Sequence, residues 1–154
     1  MLLSELLDFD SIRTGVSAKT KRALLNQLGL YAAQRMGLDP DAVQSCIAER
    51  ERLGSTGFGN GVAIPHGKVA GLKTVYAMVV RLSDPIDFKA VDGAPVDIVF
   101  LMLSPPDAGA DHLKALAAIS RVVRNAATIE KLRGARSRDA FAAVLMGADE
   151  RDAA

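Results

Sequence analysis

The stretch Gly54–Gly71, which reads GSTGFGNGVAIPHGKVAG, is the part of the chain around which the rest is arranged. It contains six of the 13 glycines and one of only two histidines, His66. Such a density of glycine suits either a tight connection or a loop whose backbone approaches a ligand closely. Pro65 forces Ile64 into an extended conformation, so the apolar run before it predicts a short strand. His66 is therefore expected where that strand ends, beside free backbone amides, although a loop histidine without chemistry is the plainer interpretation.

Composition predicts one folded domain over residues 1–154, with a tail at Gly147–Ala154 that frays. The chain is 49% hydrophobic and 24% charged, and its net charge of +1 argues against bulk binding to nucleic acid or anionic lipid. Its start, MLLSELLDFD, lacks the basic segment of a signal peptide. The longest apolar run, Ile98–Leu103, is too short to cross a bilayer. We therefore expect a cytoplasmic protein without membrane insertion.

The single cysteine, Cys46, cannot form an internal disulfide, which suits a reducing compartment. Its helix-like apolar position predicts an inert core thiol. A basic run near the end of the chain is interpreted as a solvated helical face, since no aromatic residues interleave it as single-stranded nucleic acid binding prefers. That run comprises Arg121, Arg124, Lys131, Arg133, Arg136 and Arg138.

Helix signals dominate the first third of the chain. Ser17 is predicted to cap a helix that runs to about Met36 and ends at Gly37. Asp39-Pro40 starts a second helix, which Gly54 closes. Arg50 lies in the last turn of that helix, where a cation suits the helix dipole and also lies close to the loop with His66.

Strands are predicted in the middle of the chain and helices at its end. The strands are Thr74–Leu82, Ile86–Phe88 after a turn at Asp84-Pro85, and a central strand, Pro95–Leu103. The helices are Ala110–Asn125, with Leu113, Leu116, Ala117, Ser120 and Val123 inward, then Thr128–Arg133 and Ser137–Met146. This order predicts an α/β sandwich, with a central mixed sheet and helices on both of its faces.

The chemistry that suits these residues is phosphoryl transfer through His66. A neutral imidazole is a competent nucleophile near pH 7, and a bound phosphoryl group needs cationic and N–H donors around its oxygens. Arg50 and a second histidine, His112, could supply donors. The backbone amides expected to cradle the group are those of Gly59, Asn60, Gly61 and Gly67.

Other chemistries are excluded or disfavoured by the motifs. The chain lacks GxxxxGK[ST], the dinucleotide-binding pattern and the GxSxG elbow. Two histidines and one cysteine cannot make a closed zinc site, although His66, His112 and a carboxylate such as Asp111 remain a minor possibility. No hydrolytic acid–base pair is evident, which favours a carrier over a turnover enzyme, and no cofactor or metal is expected.

The run Arg50–Gly67, RERLGSTGFGNGVAIPHG, closely resembles the phosphorylation motif of phosphotransferase-system IIA domains of the fructose/mannitol type. Within that family it most resembles the nitrogen-regulatory branch, the IIA-Ntr or PtsN proteins. The likeness extends along nearly the full chain, through Pro95–Asp97 and Asp111–Leu113.

The resemblance implies a role for each of three residues. His66 would be phosphorylated through Nε2 while a backbone carbonyl holds Nδ1, Arg50 would be the active-site arginine, and His112 the second active-site histidine. The implied donor is a small HPr-like phosphocarrier (NPr). Phe58 is expected either to form part of an apolar docking surface or to anchor the loop as a buried residue.

The resemblance also implies regulation by phosphorylation state. The targets implied are potassium-transport or sensor-kinase proteins. One alternative is a sugar-specific IIA subunit that passes phosphate to a separate IIB domain. Another, of a different class, is a binding module whose histidine is never phosphorylated.

Overall fold

The structure is a computed structural model and describes residues 1–149. Its helices are α1 (Leu3–Leu6), α2 (Lys21–Met36), α3 (Pro40–Leu53), α4 (Ala110–Val123), α5 (Ala126–Gly134) and α6 (Arg138–Met146), with a 3-10 turn at Phe9–Ser11. Its strands are β1 (Arg13–Val16), β2 (Gly57–Gly59), β3 (Val62–Ala63), β4 (His66–Lys68), β5 (Tyr76–Ile86) and β6 (Val96–Ser104).

The strands form one mixed sheet in the order β1-β5-β6-β3-β2, with β4 also paired to β6. At its centre β5 and β6 are antiparallel, whereas β1 is parallel to β5 and both β3 and β4 are parallel to β6. β3 and β4 thus lie one after the other along the same edge of β6. In this arrangement the buried strand β6 positions the chain on both sides of Pro65.

Both faces of the sheet are covered by helices, as the sequence predicts. Side chains of a strand alternate between faces. On β6, Phe100 packs in the core that contains residues of α1, α4, α5 and α6, and its neighbour Leu101 packs in the core that contains residues of α2 and α3. Both side chains are fully buried, which explains why the β6 sequence is almost continuously apolar. The α/β sandwich is confirmed.

The helix boundaries follow from capping groups, and one predicted cap is wrong. The side chain of Thr20, not Ser17, accepts the N–H of Ala23 and begins α2. Gly37 ends α2 in the left-handed conformation, with φ of 66°, and Asp39 caps α3 with Pro40 in its first turn. Three residues separate Ser17 from α2, so the hydroxyl that caps the helix is the nearer one, that of Thr20.

The strand predictions need four corrections. Ile86–Phe88 is not a separate strand, because β5 continues through Asp84-Pro85 to Ile86, with an irregular register after Arg81. β1, β2 and β4 were not predicted. β1 has only four residues, and β2 consists of two glycines around Phe58, so neither has an apolar run long enough to be recognised.

The buried face of α4 is rotated from the predicted one. Leu113 is 68% exposed, and the fully buried side chains include Ala115, Ile119 and Val122. Of the five residues predicted to face inward, Val123 is buried, Leu116 and Ser120 are half-buried, and Ala117 is exposed like Leu113. An exposed leucine beside His112 is therefore available to contact another molecule.

The predicted frayed tail, Gly147–Ala154, is wrong for its first residues. Ala148 is buried, and the Asp149 carboxylate accepts the backbone N–H groups of Leu3 and Ser4 at 2.9 and 3.2 Å. These bonds satisfy free donors in the first turn of α1. Residues 150–154 lie outside the described part. Within residues 1–149, no helix has the length and apolar character that crossing a membrane requires.

Candidate functional site

His66 follows the short strand β3, as the sequence predicts, and it also begins a second strand, β4, which the sequence did not predict. β3 pairs with β6 at Ile98 and Val99, and β4 pairs with β6 from Met102 onward. Pro65 separates the two strands because it has no N–H to donate, although its carbonyl still accepts the N–H of Met102 at 3.0 Å. The imidazole is thereby fixed to the central strand of the sheet.

The His66 ring has one nitrogen engaged by the backbone and the other turned toward Arg50. Nδ1 lies 2.9 Å from the carbonyl oxygen of Ile64. A carbonyl can only accept, so Nδ1 carries the proton and Nε2 keeps its lone pair. That lone pair receives the Nε–H of Arg50 at 3.2 Å. The contact to the Ile64 carbonyl agrees with the expectation for Nδ1.

Arg50 reaches His66 from the end of α3. Its Nη1 donates to the carbonyl oxygen of Gly54 at 2.8 Å, just past the last helical residue, Leu53. The guanidinium is thus held by the helix end on one side and by the imidazole on the other. The sequence prediction that Arg50 lies close to His66 is confirmed.

His112 lies beside His66, although 46 residues separate them in the sequence. The two ring centroids are 5.7 Å apart, with the ring planes inclined at 58°. Nδ1 of His112 is 2.7 Å from the hydroxyl of Ser104, which is fully buried at the end of β6. The first turn of α4 and the end of β6 therefore bring the second histidine into the site.

These three residues line one cavity of about 370 Å³. The other residues that line it are Cys46, Glu49, Leu53, Gly67 and Lys68. Glu49 is the one carboxylate among these lining residues, and it pairs with Arg52 at 2.6 Å. With Arg50 and Lys68 beside two imidazoles, the cavity has the donors and positive charge that an anion requires.

Burial lowers the pKa of His66, and the positive charge of Arg50 lowers it further, against the opposing effects of the Ile64 carbonyl and of Glu51. The pKa of His112 is lowered by burial and then by His66 and Lys68. Both shifts favour the neutral ring. For His66, the neutral ring is the form that a nucleophile needs.

These shifts predict how the protein responds to acid. Because the folded-state pKa of His66 lies below the ordinary value of 6.5, His66 contributes stability above that value, and this contribution is lost as pH falls toward the folded pKa. Acceptance of phosphate should likewise persist below pH 6.5 and fall only where the folded protein takes up the proton. An NMR titration of the His66 ring, run alongside the transfer rate, checks this. A titration midpoint above 6.5 would contradict it.

Gly67 allows β4 to lie directly against α3. A Cβ atom at this position would lie 2.7 Å from Cys46 Sγ and 3.2 Å from its carbonyl oxygen. Cys46 is half-buried and not an isolated core thiol, because it also lines the cavity, and burial raises the pKa of its thiol. The close contact between α3 and β4 therefore explains why position 67 is a glycine. A backbone amide left open for a ligand is not needed to explain it.

We expect Gly67→Ala to destabilise the fold by about 1–3 kcal/mol, because the added methyl group overlaps the Cys46 sulfur and crowds the α3 backbone behind it. Gly134→Ala is the matched control, since a Cβ there meets nothing within 4 Å. Thermal unfolding of both variants measures the difference. Equal midpoints for the two variants would contradict the packing account.

The structure does not bring Gly59, Asn60 and Gly61 to His66, so their predicted place in the phosphoryl cradle needs correction. Gly61 lies beside the start of β6, where its carbonyl accepts the N–H groups of Asp97 and Ile98, whereas His66 pairs four residues later than Val62 along the same strand. That offset is about 13 Å. All three residues have positive φ, so the glycines here form a tight turn, the plainer of the two sequence interpretations.

The turn at Gly59–Gly61 is instead held by contacts near the end of β6 that is far from His66. The Asn60 N–H donates to Asp92 at 3.0 Å, and the Asn60 carbonyl accepts from Arg133, which also pairs with Asp97. Phe58, on β2, is 39% exposed and is not among the residues that line the cavity. The cavity is bordered by a different apolar residue, Leu53, which is 78% exposed.

The minor metal-site alternative gains no support from this geometry. Within residues 1–149, no group of three or more histidine, cysteine, aspartate or glutamate side chains could hold a metal ion. Asp111 does not line the cavity that His66 and His112 share.

Two residues of the site were missed from the sequence. Lys68 lies two residues after His66 on the same strand, and period-two alternation would have placed both on one face had β4 been recognised. Glu51 is nearly buried beneath the loop, where Lys21 pairs with it at 2.7 Å. No short-range signal reveals that ion pair, because its partners are 30 residues apart.

Comparison with known proteins places this site in a family. Residues 5–147 match the family described as phosphoenolpyruvate-dependent sugar phosphotransferase system, EIIA 2. The chain belongs to this family of phosphotransferase-system IIA domains.

Its relatives include proteins named nitrogen regulatory protein. That of Bradyrhizobium diazoefficiens is 43% identical over 145 residues, covering 94% of this chain and 95% of that protein. That of Escherichia coli K12 is 37% identical over 137 residues, covering 88% and 83%. The crystal structure of nitrogen regulatory protein IIA-Ntr from Neisseria meningitidis superposes with a TM-score of 0.86 at 34% identity, covering 93% of this chain and 98% of that one. The resemblance to the nitrogen-regulatory branch is confirmed.

Proposed function

We propose that this chain is a regulatory phosphocarrier that accepts a phosphoryl group on Nε2 of His66. The observation that supports this most directly is the state of the ring. Its Nδ1 is held by the Ile64 carbonyl, and its Nε2 lies in a cavity beside Arg50. A neutral imidazole fixed in this tautomer presents a lone pair to one side only.

The transfer step needs a donor that is itself a phosphohistidine. The Nε2 lone pair of His66 attacks phosphorus, the N–P bond of the donor breaks, and its electron pair returns to the donor imidazole. The Arg50 Nε–H must leave Nε2 and turn to a phosphoryl oxygen as the new bond forms.

His112 and Lys68 complete the set of donors. If the Ser104 hydroxyl donates to Nδ1 of His112, the ring proton resides on Nε2, where it can bind a phosphoryl oxygen. Lys68 adds a cation at the rim of the same cavity. Gly67 is the one member of the predicted glycine cradle that lies at this site.

The partner that delivers phosphate is proposed to be an HPr-like phosphocarrier (NPr). Leu53 and Leu113 are 78% and 68% exposed, Leu53 borders the cavity, and Leu113 follows His112. Exposed leucines around a charged cavity suit a protein partner that covers the site and excludes water during transfer. We therefore propose these leucines as the apolar docking surface, for which the sequence had offered Phe58.

The outcome of phosphorylation is proposed to be regulation of other proteins in the cytoplasm. The likeness to nitrogen regulatory proteins at 37–43% identity favours this over the sugar-specific alternative. Potassium-transport and sensor-kinase proteins are the proposed targets. A change from a neutral ring to a dianionic phosphohistidine at an exposed apolar rim would alter which surfaces bind there.

Incubation with phosphoenolpyruvate, enzyme I and NPr tests the proposal. We expect the mass of one acid-labile phosphoryl group to be added to the protein. An unmodified protein in the presence of a competent donor would favour the binding-module alternative. Rapid onward transfer to a fructose-type or mannitol-type IIB domain would favour the sugar-specific one.

A further inference from the structure

Glu51 is a nearly buried carboxylate directly behind the site. It follows Arg50 in the last turn of α3, and its side chain is 6% exposed. Its oxygens lie 2.7 Å from Lys21 Nζ and 3.2 Å from the backbone N–H of Thr56, and they also accept the Thr56 hydroxyl. A buried ion pair is often no more stabilising than apolar side chains of similar size, so its role can lie in what it positions.

A continuous series of hydrogen bonds connects this carboxylate to the His66 ring. Glu51 accepts the N–H of Thr56, and the Thr56 carbonyl accepts the N–H of Ile64 at 3.0 Å. The Ile64 carbonyl then accepts Nδ1–H of His66 at 2.9 Å. Ile64, whose carbonyl determines the tautomer of His66, is therefore tied to Glu51 through the backbone of one intervening residue, Thr56.

The same carboxylate also steadies the segment that holds Arg50. Gly54, whose carbonyl accepts Nη1 of Arg50, lies between Glu51 and Thr56 in the chain. The Gly54 N–H donates to the Glu51 carbonyl at 3.1 Å, so this short segment is fixed at both ends. On the far side, Lys21 Nζ donates to the Phe88 carbonyl at 3.2 Å, which ties the ion pair to the neighbouring loop.

We propose that Glu51, held in place by Lys21, is a positioning residue for phosphoryl acceptance. It fixes the backbone of Thr56 and, through the Ile64 N–H, the residue whose carbonyl keeps the proton of His66 on Nδ1 and the Nε2 lone pair toward the cavity. Neither side chain of the ion pair touches the reacting atoms. This inference rests on the proposed role of His66 as the acceptor.

Glu51→Gln and Lys21→Met test the inference because each removes one charge of the pair. We expect the maximal rate of phosphoryl acceptance to fall about 10-fold or more in each variant, while KM for the phosphorylated NPr donor changes less than about 2-fold. Nitrogen-15 NMR of the unphosphorylated protein should show a smaller share of the Nδ1–H tautomer at His66. Lys21→Arg keeps the cation and should restore both properties.

Asp97→Asn is the matched control. Asp97 also forms a partly buried ion pair, with Arg133, beneath the glycine turn, but at the opposite end of β6 from His66. Its rate and tautomer should equal those of the wild type. If Asp97→Asn slows transfer as much as Glu51→Gln, the effect is general loosening and the inference is wrong.

Two further outcomes separate this inference from the proposed function. A folded Glu51→Gln protein with the wild-type rate and tautomer would overturn the positioning role alone. A wild-type protein that never accepts phosphate would overturn the proposed function, while the tautomer measurement would still decide whether Glu51 orients the ring. If Glu51→Gln fails to fold, the two Lys21 variants decide by the same readouts.

Discussion

His66→Ala is expected to abolish phosphorylation, the largest effect of any single substitution in this chain. The reason is chemical: Nε2 of His66 is the proposed nucleophile, and its lone pair is free to react because Nδ1 carries the proton toward the Ile64 carbonyl. Incubation with phosphoenolpyruvate, enzyme I and NPr, followed by mass measurement of the intact protein, checks the prediction. The fold should survive because His66 is only half-buried and lines an open cavity.

His112→Ala is the informative companion to that variant. It removes the neighbouring imidazole, whose ring centroid lies 5.7 Å from that of His66, but leaves the acceptor and its tautomer intact. We expect a slower reaction that still reaches full modification. Residual phosphorylation in His66→Ala, together with its loss in His112→Ala, would exchange the roles of the two histidines.

Arg50→Ala is expected to lower the transfer rate about 100-fold, the size of effect seen when one donor to a developing negative charge is removed. The guanidinium is the cationic group closest to Nε2, at 3.2 Å. The fold should remain intact, because Arg50 lies at a helix end and is only half-buried. Single-turnover kinetics with phosphorylated NPr measures the rate directly.

Arg52→Ala is the control for Arg50→Ala. Arg52 lies in the same last turn of α3, but its side chain is 71% exposed and pairs with Glu49. Its transfer rate should match the wild type within about 2-fold, since exposed ion pairs contribute little. A loss of folding in Arg50→Ala, or equal rates for the two variants, would show that Arg50 serves the structure and not the reaction.

The main features of this fold were predictable where a local group determines them. Gly37 and Asp39-Pro40 separate two helices because each acts on its own few backbone groups. The apolar run of β6 likewise predicts a central strand by itself. The inward face of α4 was not predictable in the same way, because Leu113 and Ala115 are both apolar and tertiary packing decides which is covered.

The site was predicted in its chemistry but not in its full geometry. Arg50 and His66 are close in sequence and in space, since only a helix end and a short strand lie between them. Gly59–Gly61 is even closer in sequence, yet β3 carries the chain along β6 before His66 begins β4. The cradle prediction failed because it treated residues that are close in sequence as close in space, although the strand β3 lies between them.

Long-range pairs were beyond any sequence pattern. Glu51 and Lys21 lie on different helices, and only the packing of α2 against α3 brings them within 2.7 Å. The contact between His112 and Ser104 depends in the same way on where α4 starts relative to the end of β6. The sequence offered His112 as a donor only if the fold brought it near His66, and its role as the second active-site histidine came from the family resemblance.

Nitrogen-15 and phosphorus-31 NMR of the phosphorylated protein, with its two histidines labelled, tests the central claim most directly. The account predicts a one-bond coupling to phosphorus at Nε2 of His66, with Nδ1 of the same ring still protonated and bound to the Ile64 carbonyl. A coupling at Nδ1 of His66, or at either nitrogen of His112, would contradict it.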